Sequence, residues 1–107
     1  MEEESLEKRK FRRYPVDLET IVYQGGGTAQ GQIVQISRGG CLLKMPPPVP
    51  AQELEMRLSF RLHPDLPSIN CKGDAIYYVA DQGTGVAFTE ISAYNQDLIT
   101  SHFEKQP

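Results

Sequence analysis

Leu54-Glu55-Met56-Arg57-Leu58-Ser59-Phe60-Arg61-Leu62 is the strongest strand signal in the chain. Its five apolar side chains alternate with four polar ones. A period of two is typical of a β-strand that buries one face and exposes the other to solvent. The sequence therefore predicts a strand here and a mainly β domain around it.

Five further segments have the pattern of short strands, and breaks rich in glycine or proline separate them. The breaks include the triple glycine at 25–27, the paired glycines at 39–40, the prolines between 46 and 50, and Asp81-Gln82-Gly83. We expect the paired glycines to permit positive φ and close backbone approach. The predicted strands are residues 16–23, 28–36, 41–45, 69–79 and 84–89. In the first of these the even-numbered residues form the apolar face, and the segment 69–79 is predicted to turn Ile69, Cys71, Ala75, Tyr77 and Val79 to one face.

The chain is predicted to end in a helix. Ser92 is a suitable N-cap, and an apolar stripe follows it at helical spacing, formed by Tyr94, Leu98, Ile99 and Phe103. Six short strands followed by one helix favour a six-stranded antiparallel β-barrel that the helix closes or plugs.

A basic stretch, Lys8-Arg9-Lys10-Phe11-Arg12-Arg13, precedes this domain and holds five of the eleven Lys and Arg residues in a 107-residue chain of net charge -3. Such a concentration beside one Phe predicts a flexible arm with an anionic target. A solvated basic run at a chain terminus is the alternative. We therefore divide the chain into an arm, residues 1–13, and one domain, residues 14–107.

Charge and composition disfavour several classes of function. Residues 14–107 carry six basic and ten acidic side chains, so that the domain repels DNA and RNA. The chain has no apolar run near 18 residues and begins with Met1-Glu2-Glu3-Glu4, which predicts a cytoplasmic protein that does not enter membranes. Cys41 and Cys71 are expected to be free buried thiols, with a disulfide as the alternative.

Neither a metal site nor catalysis is expected. The cysteines and the two histidines, His63 and His102, lack the clustered spacing of zinc ligands. Neither histidine lies near a serine in a nucleophile motif, and a nucleophile needs a base within hydrogen-bond reach. The interpretation is a binding protein without catalytic residues or a resident cofactor.

Two groups of residues suit a guanine nucleotide. Arg9 and Arg13 present planar forks of donors that fit phosphate oxygens and the O6/N7 edge of guanine. Gln35, Ser37 and Gly40 lie on one short turn and supply an amide, a hydroxyl and backbone without a side chain. We call these two groups the arginine motif and the serine-glycine motif.

The order of these motifs resembles the PilZ domain family. The resemblance is carried by Arg9-x-x-x-Arg13 with Tyr14-Pro15-Val16, then Gln35-Ile36-Ser37-Arg38-Gly39-Gly40, then Gly85-Val86-Ala87-Phe88, and it covers roughly residues 8–104. It implies a six-stranded β-barrel with a C-terminal helix, and a bacterial receptor for the second messenger cyclic di-GMP that signals to a protein partner.

The resemblance also implies roles for single residues. Arg9 and Arg13 would grip the guanines and phosphates and wrap the ligand against the barrel, where Ser37 and Gly40 would contact it. Lys8 would influence whether one ligand or an intercalated pair is bound, and Arg38 would add a phosphate contact or be a solvated turn residue.

Gln35 departs from the family pattern, which has Asp or Asn at this position. Replacing a charged acceptor by a neutral one would lower the affinity about tenfold. Two interpretations therefore stand: a cyclic di-GMP receptor, and a degenerate adaptor that binds a protein partner without nucleotide.

Overall fold

The structure is a computed structural model that describes residues 11–47, 50 and 55–104. Within these residues, six strands and one helix follow one another. They are β1 (Tyr14–Gln24), β2 (Gly27–Ile36), β3 (Gly40–Lys44), β4 (Glu55–Phe60), β5 (Ile69–Val79), β6 (Gly83–Glu90) and α1 (Ala93–Glu104). The six predicted strands and the terminal helix are confirmed, with ends shifted by a few residues. Leu54, where the predicted fourth strand begins, lies outside the described residues, as do Lys8 and Arg9.

The strands form a closed antiparallel barrel in the order β1-β2-β3-β6-β5-β4. β1 closes it by pairing with β2 along most of its length and with β4 through its second half, where Thr20 lies opposite Phe60. The prediction of an antiparallel six-stranded barrel is confirmed. Closure leaves no open sheet edge around the shared core, which is the main way in which all-β domains avoid unpaired strands.

The alternation in the sequence fills the barrel interior. Val22, Ile33, Leu43, Met56, Leu58 and Ile69 are among the buried residues that form a single apolar cluster. Met56, Leu58 and Phe60, from the stretch with the strongest strand signal, are almost inaccessible to solvent. Because β4 lies between β1 and β5, these three side chains join the two parts of the wall into one core.

One face assignment in β5 is wrong. Ile69, Cys71 and Ala75 are buried as predicted, whereas Tyr77 and Val79 are 43% and 41% exposed. The pairing of β5 with β6 shifts between Ala75 and Tyr77. Ala75 lies opposite Val86 and Tyr77 lies opposite Gly85, so a step of two residues on β5 matches a step of one residue on β6. A bulge of one residue interrupts the alternation, so that residues 76–79 are all exposed, and the sequence pattern did not reveal it.

The predicted start of α1 is confirmed, but its apolar stripe needs one correction. Ser92 caps the helix, since its Oγ accepts a hydrogen bond from the amide of Asn95 at 3.0 Å. Ile99 is fully buried, whereas Tyr94 is 68% exposed. At about 100° per residue, position 94 lies roughly 140° from position 99 around the helix, so the two cannot face the barrel together.

The paired glycines are required for a reason other than positive φ. The glycines with positive φ among the described residues are Gly25, Gly26 and Gly83, which lie in or beside turns. Gly39 and Gly40 instead lie where neighbouring groups come close: a Cβ on Gly39 would be 2.7 Å from the ring of Phe11, and one on Gly40 would overlap the carbonyl oxygen of Val86. Of the two predicted properties of this pair, close approach is present and positive φ is not.

The two thiols are free and buried, as predicted. Within the described part of the chain, no helix is both long and apolar enough to span a membrane.

Candidate functional site

Four of the predicted ligand residues line one cavity on the outside of the barrel. Arg13, Gln35, Ser37 and Gly40 border a depression of about 330 Å³, which we call the motif cavity. Its volume is at the lower end of the range for small-molecule sites. The fold brings the arginine motif and the serine-glycine motif together because Tyr14, which follows Arg13, pairs with Ile36 at the end of β2.

The turn between β2 and β3 gives the serine-glycine motif its shape. The amide of Ser37 donates to the carbonyl oxygen of Gly40 at 2.9 Å. The hydroxyl oxygen of Ser37 accepts a hydrogen bond from the amide of Gly39 at 3.1 Å. Ser37 therefore stabilises the turn by itself, and its Oγ keeps further capacity to bond with a ligand.

Small residues form the floor of the motif cavity. Gly40 on β3 pairs with Ala87 on β6, and Leu42 pairs with Gly85 in the next outward-facing row. Because Gly40 lacks a side chain and Ala87 has only a methyl group, the barrel surface is recessed at this pair, whereas the ring of Tyr77 lies across Gly85. A flat ligand could lie against the backbone at this point.

The electrostatic character of the motif cavity comes from Arg13. It is the one charged side chain among the described residues that line the cavity, and it is exposed to solvent. The neighbouring Arg12 lies instead near Glu104 of α1, with 3.9 Å between Nη1 and Oε2. A single guanidinium beside neutral amide, hydroxyl and backbone groups suits an anionic or polar ligand rather than a cation.

Arg38 lies on the other side of the turn. Its guanidinium forms an ion pair with Asp97 at 3.2 Å and donates to the Oγ1 of Thr100 at 3.3 Å. Its carbonyl oxygen accepts a hydrogen bond from the side chain of Gln96 at 2.8 Å. The structure thus places Arg38 against α1 and outside the lining of the motif cavity, and any contact with a phosphate stays a prediction.

Sequence reasoning missed several residues that line the motif cavity. Phe11 packs its ring over Gly39, and Ile76 and Tyr77 of β5 form the wall opposite Gln35 and Ser37. The position of Phe11 inside the basic stretch was a usable signal. For Tyr77 the sequence contained none, since the bulge that turns it outward depends on pairing with β6.

Cys41 borders the motif cavity, but its thiol lies in the barrel core and is not reactive. Burial raises the pKa of this thiol, and the neighbouring Cys71 raises it further. The thiol is therefore protonated at neutral pH, and a protonated thiol is a poor nucleophile. In the described chain, no three His, Cys, Asp or Glu side chains are grouped so that they could hold a metal ion.

A larger groove of about 1230 Å³ runs along β1, β2 and the loop after β4, and none of the predicted ligand residues within the described range lines it. His63 lies at its border, where its Nδ1 accepts a hydrogen bond from the amide of Asp65 at 3.1 Å. Because this bond engages Nδ1 in a local turn, we assign His63 a structural role in the loop.

Comparison with solved structures agrees with the fold. The Bacillus subtilis inhibitor of motility, MotI/DgrA, is similar with a TM-score of 0.70 at 19% identity, over 92% of this chain and 53% of that one. The Borreliella burgdorferi PlzA protein, solved in complex with c-di-GMP, is similar with a TM-score of 0.67 at 18% identity, over 94% of this chain and 44% of that one.

The chain spans about half the length of these two solved proteins. The comparison with curated proteins finds no match. The family model of the PilZ domain matches residues 7–105, which is nearly the whole chain and includes both motifs. The chain therefore belongs to the PilZ domain family.

Proposed function

We propose that this chain is a receptor for cyclic di-GMP, bound on the outside of the barrel in the motif cavity. The observation that carries the proposal is the convergence of Arg13 with Gln35, Ser37 and Gly40 around one recess. Arg13 lies 22 positions before Gln35 in the sequence, and a solvated basic arm would not require it to meet the serine-glycine motif. PlzA, a protein of similar fold, was solved in complex with this ligand.

The proposed contacts follow the chemistry of the ligand. The guanidinium forks of Arg13 and Arg9 hold phosphate oxygens and the O6/N7 edge of guanine. Gln35 and Ser37 bond to the polar edge of a base, and the backbone at Gly40 lets the ring come close. Lys8 adds positive charge beside the arm. The guanidinium of Arg38 already bonds to Asp97 and Thr100 of α1, so we leave Arg38 out of the proposed contacts.

Binding orders the arm in this proposal and creates a new surface for a protein partner. Phe11 already rests on Gly39 beside the motif cavity, so the arm enters the site at a defined point. We expect amide hydrogen exchange in residues 1–13 to slow when cyclic di-GMP is added. Unchanged exchange at saturating ligand would contradict the proposed ordering of the arm but not the proposed binding.

Titration calorimetry with cyclic di-GMP at low salt tests the receptor function. We expect saturable binding by the unmodified chain, and Arg13→Ala should weaken it roughly tenfold or more, since hydrogen bonds to charged groups contribute about 1.5–3 kcal/mol. Arg12→Ala is the matched control because it removes the same charge from a residue directed at Glu104. Equal losses in both variants would show that only net charge matters. Absence of heat up to high micromolar ligand would overturn the receptor function.

The second candidate is an adaptor that binds a protein and no nucleotide, and Gln35 is the observation that favours it. Gln keeps the amide of Asn but adds a methylene, and it lacks the charge of Asp. Gln35→Asp distinguishes the two functions. A modest gain in affinity supports the receptor, whereas a change from no binding to clear binding supports an adaptor that has lost its nucleotide site.

A further inference from the structure

Tyr77 ends a row of outward-facing residues that crosses the motif cavity. Gln35 of β2 lies opposite Leu42 of β3, Leu42 lies opposite Gly85 of β6, and Gly85 lies opposite Tyr77 of β5. Paired residues in a sheet point to the same face. The amide of Gln35 and the ring of Tyr77 therefore stand at opposite ends of one row, with Leu42 and the bare backbone of Gly85 between them.

The bulge in β5 is what gives Tyr77 this position. In a strand of the same sequence without a bulge, Tyr77 would share the inward face of the buried Ala75, as the period of two requires. With the bulge at Ile76 the ring turns outward and is 43% exposed. Bulges occur often beside functional sites, where they redirect a side chain.

Gly85 supports the ring of Tyr77 from below. A Cβ on Gly85 would overlap the Cδ2, Cε2 and Cζ atoms of this ring, so the ring lies across the bare backbone. The contact restricts the ring while part of its surface stays open to the motif cavity. A large ring held in place in this way loses little conformational entropy when a flat partner packs against it.

The motif cavity therefore contains the two kinds of group that recognise a purine. Polar groups of Gln35 and Ser37 suit the edge of a base, and the aromatic ring of Tyr77 suits its face. Arg13 supplies positive charge for the phosphates that accompany the base. Neither the arginine motif nor the serine-glycine motif includes a group that can cover the face of the base from the side of β5.

We propose that a purine base of the bound cyclic dinucleotide stacks on Tyr77, which makes this residue a determinant of affinity that lies outside both motifs. This assignment rests on the proposed receptor function. It adds an apolar contact to a site whose predicted contacts are polar, and this contact is independent of the residue at position 35.

Titration of four proteins with cyclic di-GMP tests this assignment: the unmodified chain, Tyr77→Ala, Tyr77→Phe and Tyr78→Ala. Tyr77→Ala should weaken binding about tenfold or more, and Tyr77→Phe, which keeps the ring, should stay within about threefold of the unmodified chain. Tyr78 is the matched control, since it is the next residue of the strand, is 48% exposed and does not line the motif cavity.

The outcomes separate the two proposals. Binding by the unmodified chain together with unchanged affinity in Tyr77→Ala overturns the stacking and leaves the receptor function standing. Absence of binding by the unmodified chain overturns the receptor function and the stacking with it. Thermal unfolding of each variant shows whether a loss of affinity comes from loss of the fold.

A fluorescent variant gives a second readout. The chain contains no Trp, so Tyr77→Trp places a single reporter at the site and Tyr78→Trp places it beside the site. Cyclic di-GMP should quench the emission of Tyr77→Trp by stacking and leave that of Tyr78→Trp nearly unchanged. Equal responses of the two reporters, in proteins that bind the ligand, contradict the assignment.

Discussion

At the level of single residues, the fold itself requires a glycine at position 40 of the serine-glycine motif, whether or not a ligand binds. Any Cβ at position 40 would overlap the carbonyl oxygen of Val86 on the neighbouring strand. The ladder between β3 and β6 continues past this point, since the amide of Phe88 donates to the carbonyl oxygen of Gly39 at 2.9 Å. Gly40 thus maintains close pairing of two strands as well as the recess above them.

Gly40→Ala is expected to destabilise the barrel by roughly 1–3 kcal/mol, because β3 must move away from β6 to admit the methyl group. Urea unfolding at neutral pH measures the change. Gly27→Ala is the control, since its nearest contact would be the carbonyl oxygen of Gln24 at 3.8 Å. It should alter the free energy of unfolding by less than about 0.5 kcal/mol. Equal stability of both variants would contradict the close approach at position 40.

At the scale of elements, α1 connects the start of β1 with the turn that carries the serine-glycine motif. The ring of Phe103 stacks on Tyr14 with 5.0 Å between centroids, and the hydroxyl of Tyr14 donates to Glu104 at 3.0 Å. Partial desolvation and this hydrogen bond raise the pKa of Tyr14. Arg38 holds the other part of the helix through Asp97. One helix thus contacts both the residue that follows Arg13 and the turn that carries Ser37.

Ile99→Ala should detach α1 more than any change on its outer face. Ile99 is the helical residue that is fully buried in the core, and its truncation is expected to cost about 2–5 kcal/mol. Tyr94→Ala, on the exposed side, should cost less than about 0.5 kcal/mol. Chemical unfolding gives both values, and amide exchange within α1 shows whether the loss is local. A small effect of Ile99→Ala would mean that the helix does not close the core.

At the scale of the whole molecule, closure of the barrel keeps water from both thiols. Cys41 on β3 and Cys71 on β5 point into the same core, although 29 intervening residues separate them in the sequence. Burial raises the pKa of Cys71 from an ordinary value near 9 to about 12, and that of Cys41 is raised as well. The folded state therefore holds these protons more tightly than the unfolded state does.

Stability should consequently fall at alkaline pH. The contribution of the thiols is fully present below the pKa of the unfolded chain, near 9, and is lost as the pH rises toward the folded value of about 12 for Cys71. Each thiol then lowers the free energy of unfolding by roughly 1.4 kcal/mol per pH unit. Urea unfolding between about pH 8 and 11 under reducing conditions measures this slope. The double variant Cys41→Ala with Cys71→Ala should show a shallower slope, and an identical slope would contradict the burial of the thiols.

The six strands, the capped helix and the two motifs could be predicted from the sequence alone, because each of them depends on the spacing of neighbouring residues. Alternation predicts a strand within a few residues, and Ser92 marks a helix start without reference to distant parts of the chain. The membership in the PilZ family and the barrel were predicted in this way and are confirmed. The contacts of single residues with the ligand stay predictions.

Which residues surround the motif cavity depends on the tertiary structure and could not be predicted from the sequence. The outward turn of Tyr77 depends on a bulge, and a bulge is set by the register between β5 and β6. The pairing of Arg38 with Asp97 joins residues that are 59 positions apart. Such relations depend on how distant segments align once the barrel closes, and local periodicity has no information on that alignment. The sequence pattern could thus predict the two motifs, whereas the position of Tyr77 opposite them became visible only in the folded barrel.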